Sequence, residues 1–301
     1  MRIVHTRKRV FETDFAFQNK MTLLVWVLSI LKWKEYGNQV VLYCDNITLN
    51  KIKEFGFEHL YDEINTDLME QEHKGIDFYC YWAMPKLLAL RHEVLTLDND
   101  CVIADQDVVP MQDVKRLWNN CDVAVWSNKE FVEFRSIYPE LYELSLPRNY
   151  KLPEWFTGTA KPLNTGIIHI RDKSIVDLFT SEAIKMATDN HNEHNNTTCQ
   201  TMCNAEQRLL GEIVNHKKLV YGVMQPINQG LFNKNGFHTH GYKLKLNNDN
   251  SLPYNVKLLN MIKDLNFPMY LKLINNEWFK EEAVHINDNY DVKEFRIYEV
   301  K

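Results

Sequence analysis

The 301-residue chain is predicted to fold as a mixed α/β domain with a mainly parallel central sheet, helices on both faces and a helical C-terminal tail. Three observations carry this. Apolar strand-forming runs alternate with helical segments from the first residues onward. Runs such as Val40-Val41-Leu42-Tyr43-Cys44 are apolar without a break, as strands covered on both faces must be. Hydrophobic types reach 45% while Gly and Pro number only 10 and 9, which excludes a collagen-like, mucin-like or generally disordered chain.

The elements follow in order. Residues 1–4 read as a short strand. Residues 20–36 read as a helix closed by Gly37, with Leu23, Trp26, Val27 and Ile30 along one side. Residues 39–44 form a strand ending at Asp45, and a small helix over 49–55 stops at Gly56. A helix beginning near Ala83 carries Leu87, Leu88 and Leu90. Val94-Leu95-Thr96-Leu97 and Cys101-Val102-Ile103-Ala104 each read as a strand, and each is followed by Asp-x-Asp. A helix over about 113–118 and a strand over 122–126 come next. Residues 127–162 hold Phe131, Phe134, Tyr138, Tyr142, Trp155 and Phe156 among four prolines, and are expected to be a long packed excursion beside a cleft. A turn at Asn164-Thr165-Gly166 feeds a strand to Ile170. Helices are expected near 176–187 and 205–214, and two more after Gly241.

Charge limits the partners. With 35 Lys and Arg against 40 Asp and Glu the net charge is -5, so there is no electrostatic footprint for a nucleic-acid polymer. The apolar run from Met21 to Leu31 falls short of a membrane span and lacks a signal-peptide cleavage pattern. No transmembrane segment is expected, and the expected location is cytoplasmic, with any membrane association peripheral. Six cysteines are too dilute for a disulfide framework and read as reduced thiols.

Two pairs of carboxylates carry the chemistry: Asp98-Asn99-Asp100 and Asp105-Gln106-Asp107. Residues two apart in extended chain face the same way, so both side chains of a pair can reach one hard cation beyond a strand end. Solvated turn carboxylates give the same spacing, and context must choose between the pairs. The segment Cys101-Val102-Ile103-Ala104-Asp105-Gln106-Asp107-Val108-Val109-Pro110, followed by Asp113-Val114 and Leu117-Trp118, resembles the metal-binding stretch of GT-A glycosyltransferases, closest to their glycogenin and galactosyltransferase-like branch. The competing registration, Val94 to Ile103 with Asp98 and Asp100, is similar to other GT-A enzymes.

The resemblance extends in order over residues 1–241. Tyr81 to Leu90 looks like the helix before the metal motif, where Lys86 would approach a nucleotide diphosphate. Leu163-Asn164-Thr165-Gly166-Ile167-Ile168 resembles the family's Asn-x-Gly turn beside donor sugar and acceptor. Ala205-Glu206-Gln207-Arg208-Leu209-Leu210 is similar to its acidic-Gln segment at a helix start. Phe237-His238-Thr239-His240-Gly241 resembles its late His segment. It implies a Rossmann-like nucleotide-sugar-binding and catalytic domain over 1–241, with a helical extension over 242–301 packed on it. It also implies transfer of a hexose-type sugar from a nucleotide-diphosphate donor to a glycan or other hydroxyl acceptor, with Mn2+ or Mg2+. Asp105, Asp107 and His240 would hold the metal, with His238 the alternative histidine. Lys86, Asp105, Asn164, Gly166 and Gln207 would contact the donor, and Glu206 and Asn164 would position or activate the reacting groups.

Other readings compete. A sugar-nucleotide pyrophosphorylase-like nucleotidyltransferase uses the same fold and metal, but no Gly-rich phosphate loop follows the first strand. A non-catalytic carbohydrate-binding protein with a degenerate site is the third class. His191, His194, Cys199 and Cys203 offer a possible zinc set of unusual spacing. Trp126, Tyr138, Trp155 and Phe156 are candidates for a sugar-stacking platform, with core packing the alternative use of each.

Overall fold

The structure is a computed structural model that describes residues 1–8, 17–115, 119–128, 137–225, 236–239 and 248–288. Its centre is a seven-stranded sheet. In chain order its strands are β1 (Arg2–Arg7), β2 (Gln39–Cys44), β3 (Glu63–Asn65), β4 (Cys101–Ala104), β6 (Val123–Ser127), β7 (Asn164–Ile170) and β8 (Tyr221–Gln225). β5 (Val108–Pro110) and β9 (Gly236–His238) form a separate two-stranded ribbon.

The sheet order is β3-β2-β1-β4-β7-β6-β8. All neighbours are parallel except at β7, which runs antiparallel to both β4 and β6. The chain winds outward from β1 to β2 and β3, then returns to place β4 on the other side of β1. That reversal leaves a crevice beyond the carboxyl ends of β1 and β4, where open α/β sheets bind ligands. The expected mixed, mainly parallel α/β architecture with a helical tail is therefore observed.

Alternation along each strand divides the core. Ile3, Val40, Leu42, Val102 and Ala104 face one side, while Val4, Val41, Tyr43, Cys101 and Ile103 face the other. The first face is covered by α1 (Lys20–Glu35), which starts at an Asn19 cap accepting the Thr22 amide. The second is covered by α4 (Met84–Arg91), α5 (Lys173–Ala187) and α7 (Leu209–Lys217), through Leu87, Leu90, Phe179, Leu209 and Ile213. Between them in the chain lie α2 (Asn46–Glu54), α3 (Asp67–Glu70) and α6 (Thr198–Cys203).

Among the described residues three helices follow β9: α8 (Asn248–Leu265), α9 (Phe267–Ile274) and α10 (Lys280–Val284). Their Leu258, Leu259, Ile262, Met269 and Leu273 join the α1 side of the core. This explains a departure from the expected one-sided α1: Leu24, Val25, Leu28 and Trp33 are buried as well, because the helix lies between the sheet and the C-terminal layer. No helix of the described residues is long and apolar enough to cross a membrane.

Two expectations are corrected. Val94–Leu97 is not a strand; His92–Thr96 is a π-helical turn continuing α4. A four-residue apolar run has no period long enough to separate strand from helix, and burial of Glu93 and Val94 against the sheet holds it helical. The helix carrying Glu206 starts at Thr198, seven residues before the expected 205–214 segment. Thr197 and Gln200 form a reciprocal capping box there, and Asn204–Arg208 is a π-helical turn joining α6 to α7. Glu206 is thus inside a continuous helical rod. Phe131, Phe134, His240 and residues 116–118 of the helix expected over 113–118 lie outside the described residues.

Candidate active site

The Asp105-Gln106-Asp107 turn leaves the carboxyl end of β4 and enters β5. Three backbone anchors fix it. The Asp105 amide donates to the Gly166 carbonyl of β7 at 2.8 Å, and the Gln106 carboxamide donates to the Thr6 carbonyl at the end of β1 at 2.6 Å. The Ser29 hydroxyl of α1 donates to the Val108 carbonyl at 2.6 Å. Ser29 also lies 3.4 Å from His5, an imidazole that burial drives down to about 3 against the opposing charge of Asp107, so it is neutral there.

The ribbon supplies the histidine. β5 and β9 pair antiparallel with Val108 opposite His238, which puts the imidazole beside Asp107. His238 Nε2 lies 3.2 Å from Asp107 Oδ1 and 3.6 Å from Asp105 Oδ2. Ligand atoms of Asp105, Asp107 and His238 all lie within 4.8 Å of one another. The Trp126 ring meets the imidazole edge-on, with centroids 5.6 Å apart. Gly166 lies directly against the ring: a Cβ there would fall 2.9 Å from His238 Cε1 and Nδ1. The glycine of the Asn-x-Gly turn is thus needed for the room it leaves, and the Asn164 carboxamide oxygen accepts the Gly166 amide at 2.9 Å.

Behind the turn lies a buried charge relay. Lys86, from the first turn of α4, places Nζ 3.0 Å from Asp105 Oδ1 and 2.6 Å from Glu206 Oε1, and donates to the Thr165 carbonyl at 3.1 Å. Lys86 is 5% exposed and Glu206 1%. Burial alone would lower the ammonium, but Asp105 and Glu206 outweigh it, so Lys86 titrates above the ordinary lysine value. Burial raises the Glu206 carboxyl, with Lys86 opposing.

Two carboxylates and one imidazole form a hard, oxygen-rich donor set that fits a divalent cation of the Mn2+ or Mg2+ kind. Of the residues singled out in the sequence, Lys86, Asp105, Asp107, Gly166 and Glu206 converge here, and Asn164 borders them through Gly166. Gln207 faces away: its carboxamide oxygen accepts from the Tyr138 hydroxyl at 2.6 Å and its carbonyl from the Leu163 amide at 3.1 Å. His238 stands at the cluster, the alternative to His240 in the sequence reading.

The competing pair is elsewhere. Asp98 and Asp100 precede β4, at the opposite end of that strand, where Asp100 pairs with His169 at 2.9 Å and Asp98 with Lys173. They line a cavity of about 270 Å³ with Arg171 and Asn119, away from His238. The Cys199 and Cys203 sulfurs lie 3.8 Å apart, but the metal-capable group among the described residues contains neither them nor His191 and His194. None of the six cysteines is in a disulfide. Trp126, Tyr138 and Phe156 are buried, and Trp155 stacks on His216.

No curated protein matches the sequence. Among solved structures, the chain is similar to one titled PaToxG Glycosyltransferase, with 11% identity and a TM-score of 0.37, over 95% of this chain and 83% of that one. It is similar also to S. aureus TarS 1-349, with 12% identity and a TM-score of 0.36, over 95% of this chain and 79% of that one. Residues 1–265 match a family described as a family of unknown function, DUF6734, and the chain belongs to that family.

Proposed function

We propose that this chain is a metal-dependent glycosyltransferase of the GT-A kind, moving a hexose-type sugar from a nucleotide-diphosphate donor to a hydroxyl of a glycan or other acceptor. The observation that carries the reading is the convergence of Asp105, Asp107 and His238 within 4.8 Å at the sheet's switch point, with Lys86 against Asp105. The order of motifs along the sequence supports it.

In this reading Asp105, Asp107 and His238 hold Mn2+ or Mg2+, with His240 a further candidate ligand. Such an ion stabilises negative charge on a departing diphosphate. The chain's own residues do the rest. Lys86 keeps a permanent positive charge behind Asp105, so the cluster is less anionic than its carboxylates alone would make it and the approach of phosphate is less opposed. Glu206, enclosed against Lys86, holds that ammonium in place and is best assigned as a positioning group. Gly166 leaves the space His238 occupies, and Asn164, which accepts the Gly166 amide, borders the expected sugar position, whereas Gln207 is engaged by Tyr138 and Leu163 and takes no part.

Incubating the full chain with Mn2+ or Mg2+ and a panel of nucleotide sugars tests this. Nucleoside diphosphate should be released with metal, and release should fall at least about 100-fold in Asp105→Asn/Asp107→Asn, the scale on which electrostatic stabilisers act. Pyrophosphate chemistry would instead indicate a nucleotidyltransferase, and binding without turnover a carbohydrate-binding protein. Either result would overturn the proposal.

A further inference from the structure

The two carboxylates of the cluster divide their oxygens in the same way. Asp105 commits Oδ1 to Lys86 at 3.0 Å and turns Oδ2 toward His238 at 3.6 Å. Asp107 commits Oδ2 to the Thr239 hydroxyl at 3.2 Å and turns Oδ1 toward His238 at 3.2 Å. Thr239 is fully buried, and its amide also donates to the Asp107 carbonyl at 3.2 Å, so its position is set by the backbone as well. Each acid thus presents one oxygen toward the imidazole while a protein donor holds the other.

We infer that Thr239 is a positioning residue that sets the cation specificity of this site: by engaging Asp107 Oδ2 it makes Asp107 a one-oxygen ligand. This rests on the metal-binding reading above. Its consequence is chemical. Asp105 Oδ2, Asp107 Oδ1 and His238 Nε2 make three single-atom ligands, which leaves positions on a six-coordinate ion for phosphate oxygens and water. Mg2+ accepts that arrangement, whereas Ca2+ takes six to eight oxygens and readily uses a carboxylate through both. Holding Oδ2 with a hydroxyl therefore disfavours Ca2+ and orients the remaining oxygen, as outer-shell partners of metal ligands do.

The test is binding, with no turnover involved. Mn2+ is titrated into the full-length protein by electron paramagnetic resonance, and Ca2+ is then used to compete. Thr239→Val keeps the shape and the amide bond but removes the hydroxyl; it should weaken Mn2+ by about 10-fold to 100-fold and narrow the Mn2+ to Ca2+ preference. Thr239→Ser, which preserves the donor, should keep both close to those of the wild type. Wild-type protein that binds Mn2+, with a valine variant whose Mn2+ to Ca2+ preference is the same whatever its affinity, would overturn the role of Thr239. Wild-type protein that binds no Mn2+ would overturn the metal site itself.

Discussion

Replacing Lys86 with Met tests the buried relay on which the site is built. The variant keeps most of the side chain's volume and deletes the charge lying 2.6 Å from Glu206 and 3.0 Å from Asp105. Breaking one side of a buried ion pair costs about 3–5 kcal/mol, because the partner is left charged without compensation. A chain of this length has an unfolding entropy of roughly 0.6 kcal/mol/K, so the melting temperature should fall by about 5–8 °C near neutral pH. The pH dependence distinguishes this mechanism from simple loss of packing. Glu206 already titrates above the ordinary glutamate value because it is buried, and Lys86 is what opposes that rise. Without the ammonium its pKa climbs further. A group with a raised folded pKa contributes stability that is present at low pH and lost as pH rises through that folded value. Acidification should therefore narrow the gap between variant and wild type, while Lys86→Met/Glu206→Gln should recover most of the loss at neutral pH. Calorimetry on the three proteins at neutral and mildly acid pH supplies the measurement. A single variant within about 1 °C of wild type, or a gap that does not change with pH, would refute the reasoning.

Two further outcomes concern the cluster and its rival. Gly166→Ala should cost about 1–3 kcal/mol by overpacking, since its Cβ would meet the His238 ring at 2.9 Å, and should weaken Mn2+ binding measured by titration. Asp98→Asn/Asp100→Asn should leave Mn2+ affinity unchanged, because those residues sit at the opposite end of β4 and pair with Lys173 and His169; loss of affinity in that variant alone would move the metal to the other pair.

Strands β1, β2, β4, β6 and β7 and most helices were legible because their signals are local, whereas β3, β8 and β9 were not read as strands. Unbroken apolar runs at residues 39–44 and 101–104 and glycines at positions 37 and 56 mark elements that the structure places nearly where expected. What was illegible depends on distant partners. Nothing near α1 announces that Leu258, Leu259 and Ile262 cover its outer side. The carboxylate pair was visible from spacing at a strand end, but choosing His238 requires the register of β5 with β9, segments separated by well over a hundred residues. Thr239 is hidden for the same reason. The true start of the Glu206 helix, in contrast, was readable: Thr197 and Gln200 have the spacing of a capping box. Glu206 then falls at a π-helical turn in mid-rod, where it is enclosed, instead of at an exposed helix end.

The most direct measurement is the anomalous scattering of Mn2+ in crystals grown with a nucleoside diphosphate. One strong peak is expected, bounded by Asp105, Asp107 and His238, with phosphate oxygens completing its coordination and Lys86 still against Asp105. A peak at Asp98 and Asp100, or a nucleotide bound with no cation between these three residues and its phosphates, would contradict it.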